Sequence, residues 1–322
     1  MKRKVILDVD TGSDDAIAIL SALAAPELDV VAICTVAGNK PIEMTTENTL
    51  RVLDLFGADV PVYRGCKEPL AKGLQPSRWE CSPRKTLIVD GKEVQIHEDY
   101  LPLPESRRQT EPMSAIDFYL KIVPAFAEPV TLIAVGPLTN LGVALTVDSE
   151  AFCSNLEEIF IMGGGVRMTN YSPSAEFNIW YDPEAAQKVA DCPVPSVWVP
   201  LDATHEAYVT SANVARLREG TRPWCAFAAD TIDQRIFIHD ALQPLAEPHA
   251  GSVHDAVAVC AAIHPDVLSD CQERNLSIGI GGAAEGQTII DPRIYPLEPN
   301  CRFALGGNRE RFSQWLIDTL LA

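Results

Sequence analysis

Short apolar runs that do not alternate with polar residues recur along this chain, separated by stretches of helical period. "VILDV" at 5–9, "VVAICTV" at 30–36, "VPVY" at 60–63, "VTLIAV" at 130–135, "EIFIM" at 158–162 and "SVWV" at 196–199 are of this kind. A strand with one solvated face alternates with period two; one that is apolar throughout has both faces covered, as in a parallel sheet between helices. The cover comes from helix-period stretches at Ser13–Ala25, Ile42–Phe56, Ala115–Phe126, Leu138–Val147, Pro183–Ala190 and Ser211–Arg218. The first begins at Gly12 or Ser13 and is stopped by Pro26. The predicted fold is therefore α/β, with a mostly parallel central sheet and helices on both faces.

No internal repeat, low-complexity tract or linker divides the 322 residues, which predicts one domain over 1–322. Two stretches interrupt the rhythm. Residues 66–112 form an insertion rich in Pro, Lys, Arg and Glu, with a hairpin expected around "TLIVDGKEVQIH". Residues 222–252 form a mobile helical segment holding Trp224, Phe227, Phe237 and His239. The tail from Leu276 alternates and ends in an amphipathic helix, "RERFSQWLIDTLL".

The net charge of −18 argues against a nucleic-acid backbone or an anionic lipid surface as partner. The nine cysteines are scattered, with no C-x-x-C pair, and read as small buried hydrophobes in a reducing compartment. Asp8 cuts the N-terminal apolar run after three residues, and no window reaches the roughly 18 apolar residues of a spanning helix. A cytoplasmic protein is expected.

In an open α/β sheet, ligands bind at the carboxyl ends of the strands. The polar, non-turn residues of this chain gather there. Asp8, Asp10, Asp14 and Asp15 follow the first strand, Asn39 the second, "VGPLTN" the fourth, "MGGG" the fifth and "LDATHE" the sixth; "HD" at 254–255 opens a late helix. One acidic turn alone reads as a helix N-terminus stabilised by its dipole. Four acids with further Asn, Glu, His and Asp at equivalent strand ends call for a shared cation. Asp10 and Asp15 are hard oxygen donors of the type calcium takes, whereas zinc would want His or Cys. An EF-hand is excluded, because Gly12 is at the wrong offset and Ile19 stands where the last glutamate belongs. A D-x-D phosphatase with Asp8 as nucleophile is the rival reading, and a non-catalytic binding protein with a calcium-stabilised site is another. The first leaves Asp14, Asp15, Asn39 and the "HD" pair without a role.

"DVDTGSDDAIAIL" resembles the D-x-D-x-G-x-D-D-A signature of the nucleoside hydrolases. "TVAGN", "TLIAVGPLTNLG", "IMGGG…AEFNIWYDPEAA" and "HDAVAV" follow in that family's order, from residue 4 to about 265. The resemblance implies calcium-dependent hydrolysis of the N-glycosidic bond of ribonucleosides, giving ribose and free base, by a homodimer or homotetramer. It implies metal ligation by Asp10, Asp15, Asp255 and the carbonyl of Val135. It implies ribose binding by Asp14, Asn39, Asn170, Glu176 and Asn178, with Met162 lining the sugar pocket. Asp10 would also be the general base for the attacking water, and His254 would stand beside the leaving base. Asp8 would support from behind. These types suit the reaction. An oxocarbenium-like sugar is favoured by surrounding carboxylates, and a carboxylate near the attacking water can take its proton.

The family's "HG-x-x-G-L" loop has no counterpart here; the region reads "VQIHEDYLPLPES". His97 stands either at the family's histidine position or on a surface loop. Trp224, Phe227, Phe237 and His239 either stack on a base or pack a helix onto the core, and packing is the favoured reading. Base preference is left open.

Overall fold

The computed structural model of the chain describes residues 2–322 apart from 76, 77, 79–85 and 90. Its centre is an eight-stranded sheet. In spatial order the strands are Leu268–Arg274, Cys301–Gly307, Ser196–Val199, Leu156–Met162, Val130–Ala134, Arg3–Val9, Leu28–Thr35 and Val62–Arg64. All neighbours are parallel except the first pair, which is antiparallel. The single α/β domain predicted from the apolar runs is the one observed.

Two apolar layers sandwich the sheet. Val5, Leu7 and Val9 point to the layer of Ile17, Leu20, Val257 and Leu316. Ile6, Ala32 and Leu132 point to the layer of Phe118, Tyr119, Leu141 and Trp198. Neighbouring strands finish in register: Val9 lies opposite Thr35, Ala134 opposite Ile161 and Met162 opposite Val199. Every loop leaving those strands therefore emerges at one edge.

The differences from expectation have local causes. The predicted helix over 115–126 is three tight pieces, Ala115–Asp117, a π-helical turn Phe118–Ile122 and a 3-10 turn Val123–Ala125. Pro124 lacks the N–H that a continuous helix would need. The helix predicted over 138–147 starts at Thr139, breaks at Asp148 (φ −156°, ψ 90°), and resumes to Cys153 with Asp148 Oδ1 accepting from Ala151 N–H. The edge strand Leu268–Arg274 escaped prediction because "LSDCQER" is polar and largely solvated, not apolar throughout.

Within the insertion, Thr86–Val89 and Lys92–Gln95 pair antiparallel as the expected hairpin. Lys72 ties this region down: its ammonium donates to Trp180 O at 2.7 Å and pairs with Glu285 at 3.3 Å. The segment after 222 carries one long helix, Cys225–Leu242. The tail contains the paired strands Leu276–Ile278 and Thr288–Ile290 and the last helix, Arg309–Leu321, capped by Asn308. Cys34, Cys192, Cys225, Cys260 and Cys301 are buried, Cys66, Cys153 and Cys271 half-buried, and Cys81 lies outside the described residues. Among the described residues no helix is long and apolar enough to cross a membrane.

Candidate active site

The first strand delivers Asp10 to the common edge, and the Ser13–Ala24 helix starts immediately beyond it. Asp15, in the first turn of that helix, caps its own start: Oδ2 accepts from Gly12 N–H at 2.9 Å and Oδ1 from Asp10 N–H at 3.1 Å. The carboxylate expected as a ligand is thus held in place by the helix it caps. Asn39, from the loop after the second strand, donates its backbone N–H to Asp10 Oδ2 at 2.6 Å and its amide to Asp15 Oδ2 at 3.1 Å. Two glycines make room for Asp10. A Cβ at Gly38 would lie 2.2 Å from Asp10 Oδ2, and one at Gly136 would lie 2.7 Å from Oδ1.

Asp14, Asp15 and Asp255 place carboxylate oxygens within 4.8 Å of one another, all buried. The expected ligands Asp10, Asp15 and Asp255 thus share one buried cluster with Asp14, the residue expected at the sugar, and Asp10 joins it through its N–H to Asp15 Oδ1. Burial and mutual repulsion dominate the electrostatics. Burial first, then the charge of Asp15, pushes Asp10 well above the usual carboxylate range. Burial and the surrounding Asp14, Asp15 and Asp10 do the same to Asp255, and burial with Asp14 pushes Asp15 up to about 7. Burial also works on Asp14, yet Arg235, His97 and its own backbone N–H together hold it below its ordinary value.

Two of these oxygens, Asp10 Oδ1 and Asp14 Oδ1, are buried with no hydrogen-bond partner. Buried acceptors are normally satisfied. Orphaned carboxylate oxygens in a cluster whose members repel one another fit a hard divalent cation. The Val135 carbonyl, at the end of the central strand, accepts from Asn178 Nδ2 at 2.8 Å. A carbonyl has a second lone pair to offer.

From these carboxylates a cavity of about 710 Å³ opens outward. Asp14, Asn39, Val135, Met162, Asn170, Glu176, Asn178, His254 and Asp255 all line it; Asp15 adjoins the lining Asp14 and Asp255, and Asp10 is bonded to the lining Asn39. Glu176 caps the short helix Phe177–Tyr181: Oε1 accepts from Asn178 N–H at 2.8 Å, and Oε2 from Gly164 N–H at 2.9 Å and Ile179 N–H at 3.2 Å. Burial outweighs those bonds and raises its carboxyl to about 7. Asn178 also reaches Met162, donating to its carbonyl at 3.2 Å. Asn170 Oδ1 accepts from Phe177 N–H at 3.0 Å, which ties the loop after "MGGG" to the same helix.

Asp8 stands apart. Its side chain faces the opposite layer, where Oδ2 accepts from Tyr119 OH at 2.7 Å and Asn140 Nδ2 at 2.9 Å. Those bonds turn it toward the layer opposite the carboxylate cluster, which leaves the phosphatase reading without a nucleophile at the site.

His97 sits in the site: its Nδ1 accepts from Ser13 N–H at 3.2 Å and lies 3.9 Å from Asp14 Oδ1. Burial holds its imidazole down at about 4. Of the four side chains of the 222–252 segment, Trp224 and Phe227 are core, Phe237 is exposed, and His239 reaches the cavity. Trp224 stacks on Phe56 at 4.4 Å and donates to Leu320 O.

Sequence reasoning missed two residues. His205, after the short helix Leu201–Thr204, meets His239 edge-on and His254 at a tilt, with the three rings at centroid separations of 5.6–5.7 Å. Arg235 places Nη2 3.7 Å from Asp14 Oδ2, and its charge bears on all three imidazoles. A signal for the latter was present. Thr231, Arg235 and His239 recur every four residues and are all buried, whereas the helix's carboxylates Asp230 and Asp240 are exposed. Burial and the Arg235 charge hold His239 down at about 3, and burial holds His205 at about 4.

Comparison with known proteins agrees with this geometry. The family model described as inosine-uridine preferring nucleoside hydrolase matches residues 5–314. The chain is 33% identical to the pyrimidine-specific ribonucleoside hydrolase RihA of Photobacterium profundum over 99% of both proteins, and 33% identical to RihA of Escherichia coli, again over 99% of both. It superimposes on a plant nucleoside hydrolase, PpNRh1, with a TM-score of 0.85 at 29% identity and full coverage of both chains. A purine-preferring ribonucleoside hydrolase from Gardnerella vaginalis gives 0.83 at 26% identity, covering 99% and 98%. The chain belongs to the inosine-uridine preferring nucleoside hydrolase family and is an N-ribosyl hydrolase.

Proposed function

We propose that this chain cleaves pyrimidine ribonucleosides in a calcium-dependent reaction, releasing ribose and the free base. The observation that carries the reading is the pair of orphaned oxygens, Asp10 Oδ1 and Asp14 Oδ1, in a buried carboxylate cluster at the floor of a nucleoside-sized cavity. Asp10, Asp14, Asp15, Asp255 and the Val135 carbonyl would hold the cation. When bound, it supplies Lewis-acid polarisation of the attacking water and a template for the ribose hydroxyls.

The chain's own groups do the rest. Asp10, fixed by Asn39 N–H, takes a proton from the water that attacks C1′. Asn39, Asn170, Glu176 and Asn178 surround the ribose, and the nearby carboxylates favour its developing positive charge. Met162 closes the apolar side of the sugar site. His254, whose Nδ1 is within 2.8 Å of Thr204 Oγ1, is held in one orientation beside the leaving base. The pyrimidine preference rests on the two RihA relatives. The reading also carries homo-oligomeric assembly and a cytoplasmic setting.

Reducing-sugar release from uridine, cytidine, inosine and adenosine tests it directly. Ribose is expected from uridine and cytidine well ahead of the purines. A reversed order would overturn the base assignment, and no release from any of them in calcium would overturn the reading.

A further inference from the structure

The floor of the cavity supplies the attacking side of the reaction and leaves open what receives the charge on the departing base. Breaking the C1′–N bond places its electron pair on the ring nitrogen, and a bare base anion is a poor leaving group unless a positive donor meets it. Among the described residues, two permanent cations line the cavity, Lys40 and Arg235. Lys40 is already engaged, with its ammonium 2.6 Å from Asp99 Oδ1. Arg235 is not. It is 5% exposed, and among the described residues its guanidinium makes one hydrogen bond, from Nε to Ser252 O at 3.4 Å. Asp14, at 3.7 Å from Nη2, neutralises it without taking a hydrogen bond. Its terminal nitrogens therefore carry unspent donors in a nearly closed space.

The position is equally specific. Arg235 lies 3.7 Å from Asp14 Oδ2, and its charge also bears on His205, His239 and His254, which cluster together. It projects from the same helix face as His239, one turn away. A guanidinium keeps its charge at every working pH and presents planar paired donors, which match the carbonyl and ring-nitrogen edge of a nucleobase.

Resting on the nucleosidase reading above, we propose that Arg235 is a catalytic residue that hydrogen-bonds the departing base and holds the negative charge it acquires. The C1′–N bond breaks with its electrons passing to the base. The water oxygen bonds to C1′, and its proton passes to Asp10. The base leaves as an anion paired with Arg235 and takes up a proton from solvent on release, while Asp10 returns its own. Substrate and one water thus become ribose and neutral base.

Leaving-group ability separates this role from a structural one. The 4-nitrophenyl β-riboside expels a stabilised phenolate that needs no cationic partner. The variant Arg235→Gln is expected to lose about 100-fold in kcat on uridine, the loss typical of one transition-state donor, but under about tenfold on the nitrophenyl riboside. Arg235→Lys, which keeps the charge and loses the fork, should recover part of the uridine rate. Equal losses on both substrates would show that Arg235 acts by positioning Asp14 or the fold, and would overturn the proposal. No loss on uridine would overturn it too. Failure of the parent reading looks different: the wild-type chain itself would then free no ribose from any nucleoside.

Discussion

Asn39 donates its backbone N–H to Asp10 Oδ2 at 2.6 Å, while the other oxygen of that carboxylate is buried without a partner. One oxygen is fixed and the other is left available, the arrangement wanted for a base that must not rotate away. Asp10→Asn keeps the size and an acceptor for Asn39 but removes the charge and the proton acceptor. Its kcat on uridine is expected to fall about 1000-fold, within the range for a lost general base. Its urea midpoint should stay at or above that of the wild type in the absence of metal, because one repelling carboxylate is gone. A variant retaining a tenth of the wild-type rate would remove Asp10 from the chemistry.

Cation dependence follows from the same cluster. Dialysis against a calcium chelator is expected to abolish ribose release and to lower the melting temperature, and added calcium should reverse both. At a free concentration about 100 times Kd the stabilisation is about 2.7 kcal/mol. Magnesium should restore less, because it demands octahedral geometry at shorter distances than such a broad carboxylate set provides. Calorimetry on the chelated protein reads both, and an identical melt with and without calcium would contradict the site.

The 222–252 segment shows where sequence reading reaches its limit. Trp224 is stacked on Phe56 and bonded to Leu320, so Trp224→Ala should destabilise by about 3–5 kcal/mol while KM stays within twofold. Phe237, 46% exposed and away from the cavity, should tolerate alanine on both counts. A large rise in KM for either variant would place it at the base after all. Denaturation curves and Michaelis plots for the two variants separate these outcomes.

The strands and the aspartate turn were legible because each is a local pattern: unbroken apolar runs imply a sheet covered on both sides, and acids clustered at a strand end imply a common ligand. Helix Cys225–Leu242 was harder, because it is buried on several sides and its apolar residues mark no single face. The polar trio Thr231, Arg235 and His239 was visible only as a four-residue repeat, and only the fold shows that its face meets the cavity. Nor does a sequence show which aspartate pairs with which. Asp8 and Asp10 are two residues apart, yet Asp8 bonds to Tyr119 on the far side of the sheet and Asp10 to Asn39 at its edge. The strand ends between them, and with it the alternation that would have put both on one face.

Glu176 offers a test by pH. Its carboxylate accepts three backbone N–H groups, but burial still lifts it from 4.5 to about 7. A carboxyl raised on folding holds its proton more tightly in the folded state than in the unfolded one. Its contribution to stability is therefore full below about pH 4.5 and is lost as pH rises to about 7. The loss amounts to on the order of 3 kcal/mol across that window. Glu176→Gln cannot ionise, so it should lack this part of the pH dependence, although losing an acceptor oxygen makes it less stable at pH 4.5 by about 1–2 kcal/mol. The two stability curves should therefore cross between about pH 4.5 and 7, leaving the variant the more stable of the two by about 1–2 kcal/mol at pH 8. Urea unfolding at several pH values, in chelator so that metal binding does not contribute, measures the difference directly. Parallel stability curves for the two proteins would mean that Glu176 is ionised in the folded state throughout, its three backbone donors outweighing its burial.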